Sequence, residues 1–484
     1  MSKTSRTLCT AVAALLASPA LPAHADLSIA KRTTKNVSCT GGSCVATARD
    51  AVMNAGDLEA LLAAQPTVSL DAGLATNIAV DAALTWTSNA TLSLTARHTL
   101  TVNKPVSVAG SGGVAIQTAD GGLSFAPKAS LSFWSLSSPL TINGAAYTLV
   151  GDIKSMNFEV STPVALARDY DASADGAYTY VPIQFIQSAA RLEGLGHTIS
   201  HLTMEGHGYP ASGFVGENDG VLSNLRLEGD LSGGDKTAFA VGSNIGLIEH
   251  VAVKVAVISN GGLEAAGLAA ENTGVIRDSS ARVNIRLGGG EYTGGLVGIN
   301  SGLIDGSWAE GTVRGSTLPA QLVGGLVALN GGAIRNSYTI AYTGLPRGDI
   351  WDIAHGGLIG QTSTAADYPS SVSASYAAGA TAPRRVPPFS SNDGLGIYGG
   401  FGFAGSVVGF DGSSSTFQST YWATDSSRHN PKAAAGNKAQ LAGASGVTEA
   451  VLKSGLPAGF DPTIWGQSAT INSGYPYLLA NPPQ

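Results

Sequence analysis

The chain has 484 residues, of which 44% are hydrophobic and 13% charged, and its 63 glycines are about twice the usual share. Apolar residues recur throughout, which argues against a disordered chain and favours many short strands joined by tight turns. The formal net charge is −7 and no basic cluster occurs, so nucleic acid and anionic lipid are poor candidates for the main partner.

The first 25 residues have the features of an export signal. Lys3 and Arg6 give a positive start, an apolar stretch runs from Leu8 to Leu21, and Ala23-His24-Ala25 fits the small-x-small cleavage rule. An uncleaved membrane anchor is the alternative, but the apolar run is short for one, and no later segment predicts a transmembrane span. We expect a mature chain starting at Asp26 that is extracellular or on the cell surface, with the periplasm as the alternative location.

Residues 26–66 are predicted to form an N-terminal cap. Cys39 and Cys44 flank a Gly-Gly turn, and two thiols so placed in an exported protein favour a local disulfide over metal binding. Asp57 to Ala64 predicts the one early helix. Residues 67–205 then carry short alternating runs at near-regular spacing, such as Thr91 to Leu94, which predict coils of a β-solenoid.

An internal repeat dominates residues 206–420. In each copy a short apolar strand ends in Asn, and Gly follows two residues later. One such unit cannot bury its own apolar side chains, but stacked units can, because each strand pairs with its counterpart one coil away. Stacked asparagines can bond to one another as a ladder, which we favour over a ligand-binding role for them. The ladder asparagines are 26, 28, 28 and 30 residues apart: Asn218, Asn244, Asn272, Asn300 and Asn330.

Residues 421–484 change character, with two Trp, several Pro and a predicted short helix around Val447 to Lys453. A solenoid needs closed ends, so we interpret this segment as a C-terminal cap. The Pro- and Arg-containing stretch from Ala380 to Asn392 predicts an exposed loop. The fold class expected for the whole chain is therefore all-β, a parallel β-helix with short helical or irregular caps.

The repeats resemble the GLUG motif, most plainly at Gly295-Leu-Val-Gly298, and the surrounding chain is similar to filamentous-haemagglutinin-type exoproteins. Leu140 to Leu149, Leu192 to Leu202 and the ending around Trp465 also resemble that family. The resemblance implies a right-handed parallel β-helix, export, and a role in adhesion. The Asn-Pro-Asn motifs of two-partner secretion are missing from this sequence, so the resemblance does not fix the secretion route.

Signals for catalysis are weak in the sequence. No His is followed by Glu, so the His-Glu-x-x-His pattern of metallopeptidases is absent, and no Gly-x-Ser-x-Gly elbow stands out. Acidic residues are scattered, although coils can align distant ones such as Glu217 and Glu271. These observations predict a chain that is not an enzyme and that needs no cofactor.

Two groups of residues are candidate metal sites, but structural interpretations account for both of them better. The histidines of the first lie at strand spacing and would suit zinc, while the second resembles a calcium loop in outline without its bidentate Glu. The first group is His197, His201, His207 and Glu205, and the second is Asp169, Asp171 and Asp175. We therefore predict no metal site.

The favoured function is that of a secreted or cell-surface adhesin-like module, monomeric, which binds an unidentified glycan or cell-surface protein. A purely structural matrix or spacer protein and a β-helix carbohydrate-active enzyme are the alternatives. Aromatic side chains are candidate ligand contacts, although the same residues also suit a core: Trp308, Tyr338, Tyr342, Trp351 and Tyr376.

Overall fold

The computed structural model describes residues 26–119, 122–206, 211–259, 263–287, 291–315, 321–344, 353–363, 369–380, 402–412, 415–426 and 433–483. Several predictions fall on residues outside these ranges. They are the export signal over 1–25, the side chains of His207 and Trp351, and the loop over 381–392.

The chain winds into a parallel β-solenoid of about 13 turns, which confirms the predicted fold class. Each strand pairs in parallel with the strand one coil before it and the strand one coil after it. Leu227, for example, lies opposite Val253, and Val253 lies opposite Ala281. Because side chains alternate in direction along a strand, this register stacks apolar residues into continuous inward rows.

Coils of the N-terminal part are short. Ile78 pairs with Leu100 and Leu100 with Leu123, which are steps of 22 and 23 residues. One sheet contains Asp26–Ala30, Ala51–Asn54, Asn77–Val80, Leu100–Val102 and Leu123–Phe125, and a second contains Leu84–Trp86, Val106–Val108 and Leu131–Phe133. The third contains Val37–Thr40, Ser43–Ala46, Thr67–Asp71, Thr91–Thr95, Gly113–Gln117, Leu140–Ile142 and Ala145–Val150.

The start of the described chain is held by a helix and a disulfide. Helix α1 spans Ala55–Ala64, two residues longer than predicted, because Asn54 caps it by accepting hydrogen bonds from Gly56 N and Asp57 N. Leu58 and Leu62 of this helix are fully buried against the first coils. The structure contains the Cys39–Cys44 disulfide, which joins the two strands of a hairpin.

Coils of the C-terminal part are longer and have three faces. The asparagine sheet contains Glu159–Val160, Ile183–Ile186, Val215–Asn218, Val241–Asn244, Ala269–Asn272, Val297–Asn300, Val327–Asn330, Ile359–Thr362 and Val408–Phe410. The adjoining sheet contains Ala211–Ser212, Lys236–Ala238, Glu264–Ala266, Tyr292–Gly294, Gln321–Gly324, Ile353–Gly356 and Gly402–Gly405.

The third face, called the long sheet, has a short and a long strand in most coils. Its short strands are Val164–Leu166, Arg191–Glu193, Val221–Ser223, Leu247–Glu249, Val275–Arg277, Leu303–Asp305 and Ala333–Arg335. Its other strands are Tyr170–Asp171, Thr198–Gly206, Arg226–Gly233, Ala252–Ser259, Ser280–Leu287, Trp308–Arg314, Tyr338–Thr339, Tyr342–Gly344, Ser371–Ala377, Thr416–Ala423 and Ala444–Val447.

The asparagines at the end of each strand stack inside the solenoid. Asn218 Nδ2 donates to Asn244 Oδ1 at 2.7 Å, and the same 2.7 Å bond joins Asn244 to Asn272, Asn272 to Asn300 and Asn300 to Asn330. All five side chains are buried. Each ladder amide therefore satisfies a polar group of the neighbouring coil that would otherwise be costly to bury.

A second, serine ladder runs at the turn between the short and long strands of the long sheet. Ser279 Oγ accepts from Val251 N one coil earlier and donates to Arg277 O. Ser307 and Ser337 repeat both bonds in the following coils. The residue before each of these serines has a left-handed backbone: φ is 46° at Asp278, 58° at Gly306 and 44° at Asn336.

The C-terminal segment (residues 454–483) packs along a flank of the solenoid. The coils continue past residue 421, since Thr416–Ala423 pairs with Ala444–Val447, and the short helix α2 (Glu449–Leu452) follows. The segment then runs back along the solenoid and contacts successively earlier coils. Tyr421 OH donates to Ala458 O, Tyr376 OH to Pro476 O, and Trp308 Nε1 to Asn481 O. It contains Trp465–Gly466, Tyr477–Leu478 and the 3₁₀ turn Asn472–Gly474; a second 3₁₀ turn lies at Ala172–Ala174.

We predict that Asn272→Ala lowers the free energy of unfolding by about 2–4 kcal/mol, because it removes two ladder bonds and leaves Asn300 Oδ1 buried without its donor. Asn284→Ala is the matched control, since Asn284 is exposed in the same coil, and we expect a change within about 0.5 kcal/mol. Urea denaturation followed by tryptophan fluorescence measures both. Equal effects of the two substitutions would contradict a stabilising role of the ladder.

Candidate functional site

A groove of about 580 Å³ crosses the outer face of the long sheet. It extends from the coil that contains Ser200 to the coil that contains Glu310, four strand spacings or about 19 Å. It runs along the solenoid axis, so residues far apart in sequence line it side by side. An elongated opening of this kind suits an extended ligand better than a small molecule.

Three rows of residues in register build the groove. One wall is a charged row, the opposite wall is a row of small and polar residues, and the floor between them is backbone with two buried valines. The charged row is Glu228, Lys254, Arg282 and Glu310; the polar row is Asp230, Ala256 and Asn284; the floor is Gly229, Val255, Val283 and Gly311.

Local backbone irregularities shape the end of the groove near Ser200. The pairing of Thr198–Gly206 with Arg226–Gly233 shifts register between Ile199 and Leu202, and His201 has a φ of 54°. At Gly229 a Cβ atom would lie 1.9 Å from Leu202 O, so this close approach of two backbones requires glycine. The bulge places His201 and Ser200 at this end of the groove.

The charged row has an acid–base–base–acid order along the solenoid axis. Lys254 Nζ lies 3.5 Å from Glu228 Oε2, and Arg282 Nε forms a short ion pair with Glu310 Oε1. The Arg282 guanidinium also lies 5.6 Å from the centre of the Trp308 ring, a cation–π contact. Both cations are thus positioned by contacts with neighbouring coils, which orders the wall of the groove.

The histidines considered as metal ligands point to different places. His197 is buried, with Nδ1 3.0 Å from Asp169 Oδ1 and Nε2 2.9 Å from Leu131 O, so both ring nitrogens face acceptors. His201 is exposed and its Nδ1 lies 2.9 Å from Asp171 Oδ1. The left-handed backbone at His201 breaks the strand alternation that was expected to put both rings on one face. The described residues contain no group of three or more His, Cys, Asp or Glu that could hold a metal.

The three aspartates considered as a calcium loop have separate partners. Asp169 pairs with His197, and this hydrogen bond lowers the pKa of the carboxyl. Asp171 accepts from Ser173 N at 3.0 Å and caps a 3₁₀ turn. Asp175 accepts from two tyrosine hydroxyls and pairs with Lys154 at 2.8 Å. Each of the three carboxylates thus has partners within the protein, and their contacts stabilise a turn.

Three of the aromatic residues considered as ligand contacts are buried, as their alternative role in a core requires. Trp308, Tyr338 and Tyr376 stack with ring centres 5.9 and 4.9 Å apart, and Trp465 of the C-terminal segment lies 6.0 Å from the two tyrosine rings. The C-terminal segment covers the stack, which is why these residues are core. Tyr342 is half-buried beside Arg314.

A carboxyl pair lies where the asparagine sheet meets the adjoining sheet. Glu264 is 5% exposed, its Oε2 has no hydrogen-bond partner, and it contacts Glu271, which pairs with Lys236 at 2.6 Å. Burial, with the Glu271 charge second, raises the pKa of Glu264 to about 7. The alignment considered from sequence, Glu217 with Glu271, spans two coils with Ser243 between them. Glu264 has no counterpart in other repeats, so no sequence signal marked it.

We predict that Glu264→Gln flattens the pH dependence of stability between about pH 4.5 and pH 7. The native pKa of Glu264 is raised above the ordinary 4.5. Its contribution to the free energy of unfolding is therefore complete below pH 4.5 and is lost as the pH rises through 7. Thermal melts at half-unit pH steps measure this, with Glu217→Gln as control. An unchanged pH profile in Glu264→Gln would contradict the assignment. Burial also raises the pKa values of Glu193 and Asp278 to about 7. Because both remain in the variant, part of the dependence of stability on pH remains as well.

Comparisons with known proteins give one structural likeness. No family model matches the chain, and no curated protein matches it. A solved structure described as "a putative immunoglobulin A1 protease from Bacteroides ovatus" is similar over 69% of this chain and 92% of that chain, with 16% identity and a TM-score of 0.38.

The prediction that this chain is not an enzyme is corrected by that finding, because the matching solved structure is described as a protease. At this identity and TM-score the likeness assigns no activity to this chain. Among the described residues, no helix is long and apolar enough to cross a membrane.

Proposed function

We propose that this chain is an exported, adhesin-type β-solenoid that binds an extended glycan or cell-surface protein along the groove of the long sheet. The observation that carries the proposal is the groove itself, about 580 Å³ in volume and lined by residues of five successive coils. Its walls carry charged and polar side chains that can donate and accept hydrogen bonds.

Several features support a binding role for the groove. The long strands beneath it are paired on both sides, so the site is held by a rigid scaffold, as precise recognition requires. Val255 and Val283 of the floor belong to the main apolar core, which fixes the strand positions. The export signal predicted over residues 1–25 and the GLUG-like repeats are consistent with an extracellular or surface location.

A carbohydrate-active enzyme acting in the same groove is a second candidate. Three carboxylates line the groove, Glu228 and Glu310 on one wall and Asp230 on the other, and polysaccharide hydrolysis needs paired carboxyl groups. Incubating the chain with soluble polysaccharides and measuring new reducing ends tests this candidate. Turnover that is lost in Glu228→Gln or Glu310→Gln would support the enzyme, and binding without turnover would support the adhesin.

We predict that Ala256→Trp abolishes saturable binding of the mature chain to cells and to immobilised glycans, because an indole placed on the half-exposed polar row fills the groove. Ala115→Trp is the matched control, since Ala115 is also half-exposed at the centre of a paired outer row, in the N-terminal part. Binding is measured by surface plasmon resonance and a glycan array.

The proposal fails if the wild-type chain shows no saturable binding, which would favour a structural spacer, or if both tryptophan variants bind as the wild type does. Protease shaving of producing cells, with mass spectrometry of the released peptides, tests location. Repeat peptides in the shaved or medium fraction are expected, and confinement to the periplasm would contradict a surface role.

A further inference from the structure

Two like charges stand next to each other at the centre of the groove. Lys254 and Arg282 occupy the same register position in adjacent coils, about one strand spacing of 4.8 Å apart. Each is paired on its outer side, Lys254 with Glu228 and Arg282 with Glu310, so the two acids lie at the ends of the row and the two cations at its middle. Adjacent cations repel, and an anion between them removes that repulsion.

The two cations present N–H donors at the wall of the groove. Lys254 is 66% exposed and its contact with Glu228, at 3.5 Å, is long, while the ammonium carries three N–H donors. The Arg282 side chain is 32% exposed and is fixed in direction by Glu310 and the Trp308 ring. A carboxylate or sulfate over this pair would accept charge-assisted hydrogen bonds from both side chains.

The chemistry of the groove favours a glycan over a peptide. The strands under the groove are paired on both sides, so a peptide cannot join the sheet by adding a strand there. The residues that line the groove include no Phe, Tyr or Trp side chain that would anchor a peptide. The carboxylates, the Asn284 amide and the two cations of the groove can form hydrogen bonds with a chain of hydroxyl groups.

Resting on the function proposed above, we propose that the ligand is a sparsely charged acidic polysaccharide, with one anionic group between Lys254 and Arg282 and neutral hydroxyl-bearing units over the ends of the groove. Glu228 and Asp230 at one end and Glu310 at the other repel further anions. A glycan with an anion on every sugar therefore fits less well than one with an anion on alternate or rarer sugars.

The test compares matched glycans that differ only in their anionic groups. Isothermal titration of the mature chain uses hyaluronan oligosaccharides and carboxyl-reduced chondroitin sulfate, which carry a carboxylate or a sulfate on alternate sugars. Their uncharged forms, carboxyl-reduced hyaluronan and desulfated carboxyl-reduced chondroitin, are the neutral partners, and polygalacturonate is charged on every sugar. We expect an anionic glycan to bind about tenfold or more tightly than its neutralised partner, an advantage that weakens with added salt. Hyaluronan ahead of carboxyl-reduced chondroitin sulfate identifies a carboxylate, and the reverse order identifies a sulfate.

Two variants assign the effect to the cation pair. Lys254→Gln/Arg282→Gln should lower affinity for the anionic glycan to that for its neutral partner. The exchange Glu228→Lys/Lys254→Glu keeps an ion pair at the same place and should cause the same loss without lowering the melting temperature. Arg277→Gln removes a cation outside the groove, paired with Glu249 at 3.0 Å, and should leave affinity unchanged.

Equal affinity for charged and neutral glycans, tightest binding of polygalacturonate, or full binding by both cation-pair variants would overturn the inference. If Ala256→Trp still abolishes binding in that case, the groove keeps its proposed function and only the ligand class is wrong. If no glycan binds and Ala256→Trp has no effect on cell binding, both proposals fall.

Discussion

The rest of the structure depends on the in-register parallel pairing of each coil with the next. One coil has too few apolar residues to form a core, whereas stacked coils join them into continuous rows such as Leu227, Val253 and Ala281. The asparagine and serine ladders make the register specific. A coil displaced by one residue would bury charged side chains and separate Asn244 from Asn272, so a shifted register is strongly disfavoured.

The same pairing positions the candidate binding site. The four residues of the charged wall, from Glu228 to Glu310, come from four different coils and meet only because the coils are in register. The groove therefore has the rigidity of the core beneath it. The C-terminal segment adds to this, because Asn481 O accepts a hydrogen bond from Trp308, whose ring also contacts Arg282 of the wall. The groove and its scaffold thus belong to the same array of coils.

The sequence predicts the solenoid because identical residues recur at equal coil positions, as the five asparagines do at steps of 26 to 30. It does not predict the groove, since Glu228, Lys254, Arg282 and Glu310 differ in type and align only once the turn lengths are known. Glu264 was missed for the same reason: its environment depends on Glu271 and Lys236 from other strands. Composition marked the C-terminal segment as distinct, but its course along the flank depends on contacts over 100 or more residues, such as Tyr376 OH to Pro476 O.

Hydrogen–deuterium exchange of the mature chain, with and without its bound ligand, tests the central claim most directly, namely that the coil array holds an extended ligand along its axis. The claim predicts added protection in peptides from the successive strands Arg226–Gly233, Ala252–Ser259, Ser280–Leu287 and Trp308–Arg314 together, with no change in the N-terminal coils. Protection confined to one coil, or located in the N-terminal part, would contradict it.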